Sequence, residues 1–221
     1  MAFTAQDVVA LRERTGVGMM DCKKALQETD GNIEKAIEYL RKKGMASVAK
    51  RASRIASQGI IDSYIHFSGK FGVLVEVNCE TDFVAKSPDF VSFVHDIALQ
   101  IGATNPTYIS MEDVPADVVA RERDIIRAQT LNDPIPRPEA IIDKIVDARM
   151  SKFYQESCLL EQDFVKDTKK TMKMLFNEIA SKIGEKIVIR RFVRYMMGEG
   201  LEKKEDTFVQ EINDQLSKLQ Q

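Results

Sequence analysis

Histidine is nearly absent from this sequence, with two in 221 residues, and the three cysteines (Cys22, Cys79 and Cys158) stand far apart. No Cys-x-x-Cys pair occurs, so neither a disulfide framework nor a zinc site is expected, and a reducing cytoplasm suits the thiols best. An organellar matrix or stroma is also compatible with them. No apolar run approaches the roughly 18 residues that a membrane-spanning helix needs. The opening stretch has neither a basic n-region nor an apolar h-region, so no secretory signal is read there. A net charge of −2 excludes a general nucleic-acid binder and makes any basic patch a local matter. Also missing are a Gly-x-x-x-x-Gly-Lys loop, a Gly-x-Gly-x-x-Gly turn after a strand and a Gly-x-Ser-x-Gly elbow. Nucleotide binding by the chain itself is therefore not expected. Internal repeats and low-complexity segments are lacking too.

The usual catalytic groups fare no better. His66 and Cys79 fall on adjacent predicted strands, but seven positions apart along them, roughly 23 Å, and on opposite faces. No thiol–imidazole bond is possible at that distance. His95 lies on a predicted helix with only Asp96 beside it, which is the pattern of a structural or surface histidine. The expectation is a chain with no catalytic residue, no metal and no cofactor.

What is present is a regular alternation of helix and strand signals. Thr4 and Asp7 have capping-box spacing before a first helix, and Gly16 and Gly18 loosen the chain after it. Met19 to Glu28 forms a second helix. Asp30-Gly31 opens a third, with Ile33, Ala36, Ile37 and Leu40 on one face and Gly44 as its stop. Residues 41–54 hold six basic residues and no acidic one. They read as a solvated linker helix, as a docking surface for an acidic partner, or as one turn of nucleic-acid contact. Residues 59–67 and 71–79 form a hairpin around Ser68-Gly69-Lys70. With Phe67 opposite Phe71, one face collects Ile61, Ile65, Phe67, Phe71, Val73, Val75, Val77 and Cys79. Ser87-Pro88 starts a helix that carries Phe90, Val94, Ile97, Ala98 and Ile101 and is closed by Gly102. Helices over about 115–130 and 138–157 form an antiparallel hairpin, separated by three prolines in the five residues 134–138. A helix from Thr168 to Ile183 ends at Gly184, a strand runs from Lys186 to Met197, and a tail helix bears Phe208, Ile212, Leu216 and Leu219.

Strands at the two ends of the core with helices between them define an α+β class: a three-helix bundle, an antiparallel sheet core with a helical hairpin, and a C-terminal helix. The expected division is 1–44 for the bundle, 45–56 for a basic linker helix, 57–197 for the core and 198–221 for the tail.

Two segments stand out. Residues 78–87 run from a buried strand into a helix with no turn glycine and no proline before Pro88. Phe83 and Val84 could staple that helix to the sheet, or the loop could display Asp82 and Phe83 to a partner as a compact aromatic anchor. Both hold if Val84 faces inward and Phe83 outward. The second segment is Arg12 to Leu26, with Met19 and Met20 after a glycine loop. Methionines are soft contact residues, and at least one of the two is expected to fill the core of the bundle.

These two segments resemble the translation elongation factor Ts family. Arg12-Glu13-Arg14-Thr15-Gly16 with Gly18-Met19-Met20-Asp21-Cys22-Lys23-Lys24-Ala25-Leu26 carries the likeness, as does Val77-Asn78-Cys79-Glu80-Thr81-Asp82-Phe83-Val84-Ala85-Lys86. Ile183-Gly184-Glu185 leading to Ile189-Arg190-Arg191, and Gly198-Glu199-Gly200-Leu201-Glu202-Lys203, extend it over nearly the whole chain in the family's order. Residues 30–40 also resemble the third helix of ubiquitin-associated domains. The resemblance implies a non-enzymatic exchange factor that binds elongation factor Tu in its GDP-bound and nucleotide-free states. Such a factor disturbs the magnesium and phosphate site and releases GDP. Met19, Met20 and Lys23 match positions that grip the GTPase domain; Thr81, Asp82, Phe83 and Val84 match the loop that intrudes beside the nucleotide. Ile183 and Gly184 match a contact to a second domain, and Phe208 and Ile212 a docking tail; Arg51 is a further carry-over. The core unit appears once where some members carry it twice, which suits a homodimer with facing sheets. The joint Ile135-Pro136-Arg137-Pro138 departs from the family's pattern. No membrane contact and no direct nucleic-acid binding are implied. The rival readings are a ubiquitin-associated-type adaptor built on residues 1–44 and an RNA-binding accessory protein using residues 41–54, Arg190, Arg191 and Arg194.

Overall fold

The computed structural model describes residues 3–133 and 138–201. At the amino end, Thr4 and Asp7 form the reciprocal capping box: the Thr4 amide donates to Asp7 Oδ2 at 2.7 Å, and the Asp7 amide to Thr4 Oγ1 at 3.3 Å. Helix α1 (Ala5–Thr15) therefore starts with its first amides satisfied. Together with α2 (Met19–Glu28) and α3 (Ile33–Arg51) it closes on Leu11, Cys22, Ala25, Leu26 and Ala36, all fully buried. Gly44 does not stop α3, which runs on to Arg51, so the boundary after residue 44 falls inside a helix. The glycine serves close packing instead. A Cβ there would lie 2.6 Å from Ser181 Oγ, on the helix that crosses α3.

The main sheet has the antiparallel order β1-β2-β5, from β1 (Gln58–Ile65), β2 (Phe71–Cys79) and β5 (Val188–Met196). On β2, Val73, Val75, Val77 and Cys79 are buried as expected. The register of β1 differs from expectation. Ile65 lies opposite Gly72 and Tyr64 opposite Val73, and the His66 amide donates to the Phe71 carbonyl at 3.0 Å. Four residues, not three, make the turn. Because side chains alternate, that single-residue difference turns Ile61, Ile65 and Phe67 out to solvent and brings Ile60 and Tyr64 in. Counting apolar residues could not decide the matter, since Ile60 and Ile61 offer one on either face. The deciding contacts are tertiary. Gly102 of α5 (Pro88–Thr104) accepts the rings of Phe71 and Tyr64 at 3.0 and 3.1 Å from where its Cβ would be. Gly102 thus does not close α5 either; Asn105, left-handed at φ 50°, does.

Helix α5 covers the inner face of the sheet with Phe90, Phe93, Val94, Ile97 and Ile101. Before it, the single turn α4 (Asp82–Ala85) follows β2 directly. Helices α6 (Ala116–Leu131) and α7 (Glu139–Ser157) form the expected antiparallel hairpin over Ile126, Ile142, Val146 and Met150. Arg127 pairs with Asp143 and Glu139, and Arg123 with Asp147, down its outside. Residues 134–137 of the proline-rich joint, and the tail with Phe208 and Ile212, lie outside the described residues. A small hairpin is made by β3 (Asp163–Phe164) and β4 (Asp167–Thr171), and its second strand occupies the start of the helix expected from Thr168. Fully buried Gln100 organises it, donating to the Asp163 carbonyl at 3.1 Å and accepting from the Val165 amide at 2.9 Å. Helix α8 (Met172–Ile183) then begins with Thr171 as its cap.

One glycine on β1 is irreplaceable by this geometry. Gly59 has φ +143°, and a Cβ would sit 2.2 Å from the Val77 carbonyl oxygen. Gly59→Ala is expected to cost about 2 kcal/mol or more through backbone strain at the sheet edge. Urea denaturation checks this, and an unshifted midpoint would contradict the register.

Candidate protein-binding site

The segment after β2 is exposed outward and anchored inward. Cys79 is buried and its thiol donates to the Thr81 carbonyl at 3.1 Å; burial pushes its pKa upward, away from nucleophilic use. Burial likewise raises Cys22 and Cys158. Thr81 caps α4, with Oγ1 accepting from the Val84 amide at 3.4 Å. Ala85 is buried and Val84 packs partly against the core, while the Phe83 ring is 84% exposed. Asp82 pairs with Lys86 one turn on at 2.9 Å, and that hydrogen bond holds its carboxyl below the ordinary range. The aromatic and the carboxylate of the motif therefore both face solvent on one rigid turn.

Met19 and Met20 open α2 and are 44% and 75% exposed, so neither fills the bundle core. That core is completed by Cys22, Ala25 and Leu26, further along the helix. Lys23 is exposed beside the methionines. Arg51 points inward: Nη1 donates to the Ala180 carbonyl at 3.1 Å and Nη2 to Ser47 Oγ at 2.6 Å. It ties α3 to the last turn of α8. Ile183 packs against the main core, and Gly184 caps α8 at φ 81° with open space around its Cα.

The segments that carry these residues meet around the carboxy-terminal end of α8. Lys182 lays its stem against Gly16, 3.4 Å from where a Cβ would be, and its ammonium pairs with Asp89 at 2.8 Å at the start of α5. Val17, Gly18, Ser47, Arg51, Ser181 and Lys182 line one cleft. Glu185 reaches the backbone of residues 80 and 81, and Glu80 reaches back to the Lys186 amide. The loop before Met19, the 81–84 turn, Arg51 and the 183–184 corner are thus brought together. Sequence reasoning missed Lys182, Glu185 and Glu80 as the residues that join them. The second motif contains Glu80 and the third contains Glu185, but neither gave them a joining role.

A second exposed surface follows from the register of β1. Ile61, Ile65, Leu74, Val193 and Tyr195 share the outer face of the sheet, with Ile65 and Tyr195 each 71% exposed. Contiguous exposed apolar residues of this kind mark interaction surfaces. The basic residues named for RNA contact are largely committed elsewhere. Lys43 pairs with Asp21, Arg54 with Glu80, and Arg190 and Arg191 both with Glu76. Arg194 lies over the Phe71 ring at 5.1 Å. His66 stacks on Phe71, opposite it and not opposite Gly72, and His95 Nδ1 lies 3.0 Å from Asp62 Oδ2. No helix among the described residues is long and apolar enough to cross a membrane, and no cluster of three or more metal-type ligands occurs among them.

An anchored turn with one exposed aromatic, two exposed methionines on α2 and an exposed apolar sheet face are the features of a protein-binding factor. The family model for elongation factor Ts matches residues 20–199. "Elongation factor Ts" of Moorella thermoacetica is 58% identical over 204 residues, covering 92% of this chain and all of the relative. That of Desulforamulus reducens is 56% identical over 214 residues, covering 97% and 98%. That of Acetivibrio thermocellus is 55% identical over 214 residues, covering 97% and 99%. The chain belongs to the elongation factor Ts family, whose place is in translation elongation.

Proposed function

We propose that this protein is the nucleotide-exchange factor for elongation factor Tu, acting in the cytoplasm by binding and not by catalysis. It engages the GDP-bound form, disturbs the magnesium and phosphate site, and lets GDP leave so that GTP can enter. The observation that carries this reading is Phe83, exposed on a turn whose neighbours Val84 and Ala85 are anchored in the core.

In GTPases of this kind, magnesium and the phosphate-binding loop hold the diphosphate largely by charge neutralisation. A factor that binds better once those groups are displaced weakens nucleotide affinity by the same factor that nucleotide weakens its own. Phe83 supplies the wedge, and Asp82 brings a negative charge to a region already rich in phosphate oxygens. Met19, Met20 and Lys23 of the amino-terminal module (residues 1–44), Ile183 and Gly184 of the core (57–197), and Phe208 and Ile212 of the tail (198–221) supply binding energy that offsets the distortion. Arg51, in the basic segment 45–56, acts from behind by holding α3 on α8. The outer sheet face, with Ile61, Ile65, Leu74, Val193 and Tyr195, pairs with its counterpart on a second copy to form a homodimer.

Phe83→Ala is expected to keep its stability within about 0.5 kcal/mol, because an exposed ring contributes little packing. It should nonetheless slow GDP release from elongation factor Tu several-fold or more in stopped-flow fluorescence. Unchanged release with a folded variant would contradict the wedge. Leu74→Asp and Tyr195→Asp together are expected to convert a dimer to a monomer in sedimentation velocity. A monomeric parent protein at micromolar concentration would remove the sheet pairing.

A further inference from the structure

The turn that presents Phe83 has only four helical residues, Asp82–Ala85, far too few to hold a direction by their own hydrogen bonds. Its exposed ring gives it no packing on that side. The sheet ladder does not reach it, since its last pair on β2 is Cys79 with Gln58. Something beyond the ladder must fix where α4 points.

We propose that Glu185 is a positioning residue for nucleotide exchange, its carboxylate clamping the start of α4 so that Phe83 is presented in one direction. The geometry is specific. Glu185 Oε2 accepts from the Glu80 amide at 3.1 Å and the Thr81 amide at 3.0 Å, while Oε1 accepts from the Thr81 hydroxyl at 2.7 Å. Two successive amides converging on one carboxylate oxygen make a backbone anion cradle. Thr81 Oγ1 works in both directions. It donates to Glu185 and accepts from the Val84 amide, so the clamp passes through one hydroxyl into the turn that carries Phe83.

The clamp is returned from the other side. Glu80 Oε1 accepts from the Lys186 amide at 2.6 Å, and Glu80 is paired with Arg54 at 3.4 Å. Lys186 Nζ donates to the Arg54 carbonyl at 2.8 Å. Residues 80–81, 185–186 and 54 thus close a ring of hydrogen bonds. Gly184, left-handed at φ 81°, is what turns Glu185 back toward Thr81 directly after α8. Bonds with an ionised acceptor are roughly twice as strong as neutral ones, so a carboxylate is the side chain suited to hold three donors at once. Glu185 touches no reacting group itself; it acts through the direction it gives Phe83.

This inference rests on the exchange reading, and one experiment separates the two. GDP release from elongation factor Tu is followed against factor concentration for the parent protein, Glu185→Ala, Glu185→Gln, Phe83→Ala and the double variant Phe83→Ala/Glu185→Ala. If the parent does not accelerate release, the exchange reading fails. Given acceleration by the parent, Glu185→Ala is expected to lower the maximal rate about tenfold, since a misdirected contact group loses rate out of proportion to the contact itself. Its half-saturating concentration should change less than about threefold. Glu185→Gln, whose amide can still accept from both backbone amides and donate to the Thr81 hydroxyl, should recover most of the rate. In the double variant, removing Glu185 should have no further effect once Phe83 is gone. A maximal rate unchanged in Glu185→Ala, or losses that multiply in the double variant, would overturn the proposal. If circular dichroism finds Glu185→Ala unfolded, Thr81→Val severs the hydroxyl link through which the clamp reaches α4, while the two backbone amides still meet Glu185. It should show the same loss of maximal rate, and full activity would overturn the proposal equally.

Discussion

The last turn of α8 is where the separate parts of this protein are held in register. Helix ends leave backbone carbonyls without partners and carry partial negative charge, so cations gather there. Arg51, from the third helix of the bundle, donates to the Ala180 carbonyl. Lys182 spans from Gly16, at the end of the first helix, to Asp89 at the start of α5. Between them Gly44 lets α3 approach Ser181 more closely than any side chain would allow. Beyond the cap, Glu185 takes hold of the backbone that leads to Phe83. The amino-terminal module, the sheet and the exposed turn are thus referred to one short stretch of chain, residues 180–186.

That arrangement matters because the proposed function asks for rigidity at an exposed place. A protruding aromatic contributes to binding in proportion to how little ordering it requires on contact. Phe83 is poised by neighbours that do not move with it: Ala85 in the core, Thr81 bonded to Glu185, and Asp82 paired with Lys86. Glu80 adds durability in acid. Its carboxyl is held below the ordinary range, first by the Lys186 amide, so that side of the ring stays intact through neutral and weakly acidic pH. It is released only as the pH falls through that lowered value. The turn proposed for partner contact and the sheet face proposed for self-association lie on different elements, so the two roles need not compete.

Local signals were legible in the amino-acid sequence wherever the determining contact lies within a few residues. The Thr4–Asp7 box, the Ser87 cap with Pro88 behind it, the antiparallel α6–α7 pair and the outward Phe83 beside an inward Val84 are of that kind. The signals that misled are tertiary. Gly44 and Gly102 read as helix stops because nothing local reveals that Ser181, Tyr64 and Phe71 approach them. The β1 register read one residue off because Ile60 and Ile61 serve either face, and only the fit of Tyr64 over Gly102 chooses between them. The β3–β4 hairpin was hidden for a similar reason, since it is organised by Gln100 from another helix. In the site, the exposed groups were visible as motifs, whereas the residues that aim them were not. Glu185 and Thr81 are 104 positions apart, and no spacing rule connects them.

Segments far apart in the chain are proposed to act as one binding face around the foot of α8. Hydrogen–deuterium exchange of the full chain, free and bound to GDP-loaded elongation factor Tu, tests this most directly. Amides in 17–20, 80–85 and 183–186 are expected to become protected together on binding, with those of α6 and α7 unchanged. Protection of the amino-terminal module alone, with residues 80–85 exchanging as fast as in the free protein, would contradict it.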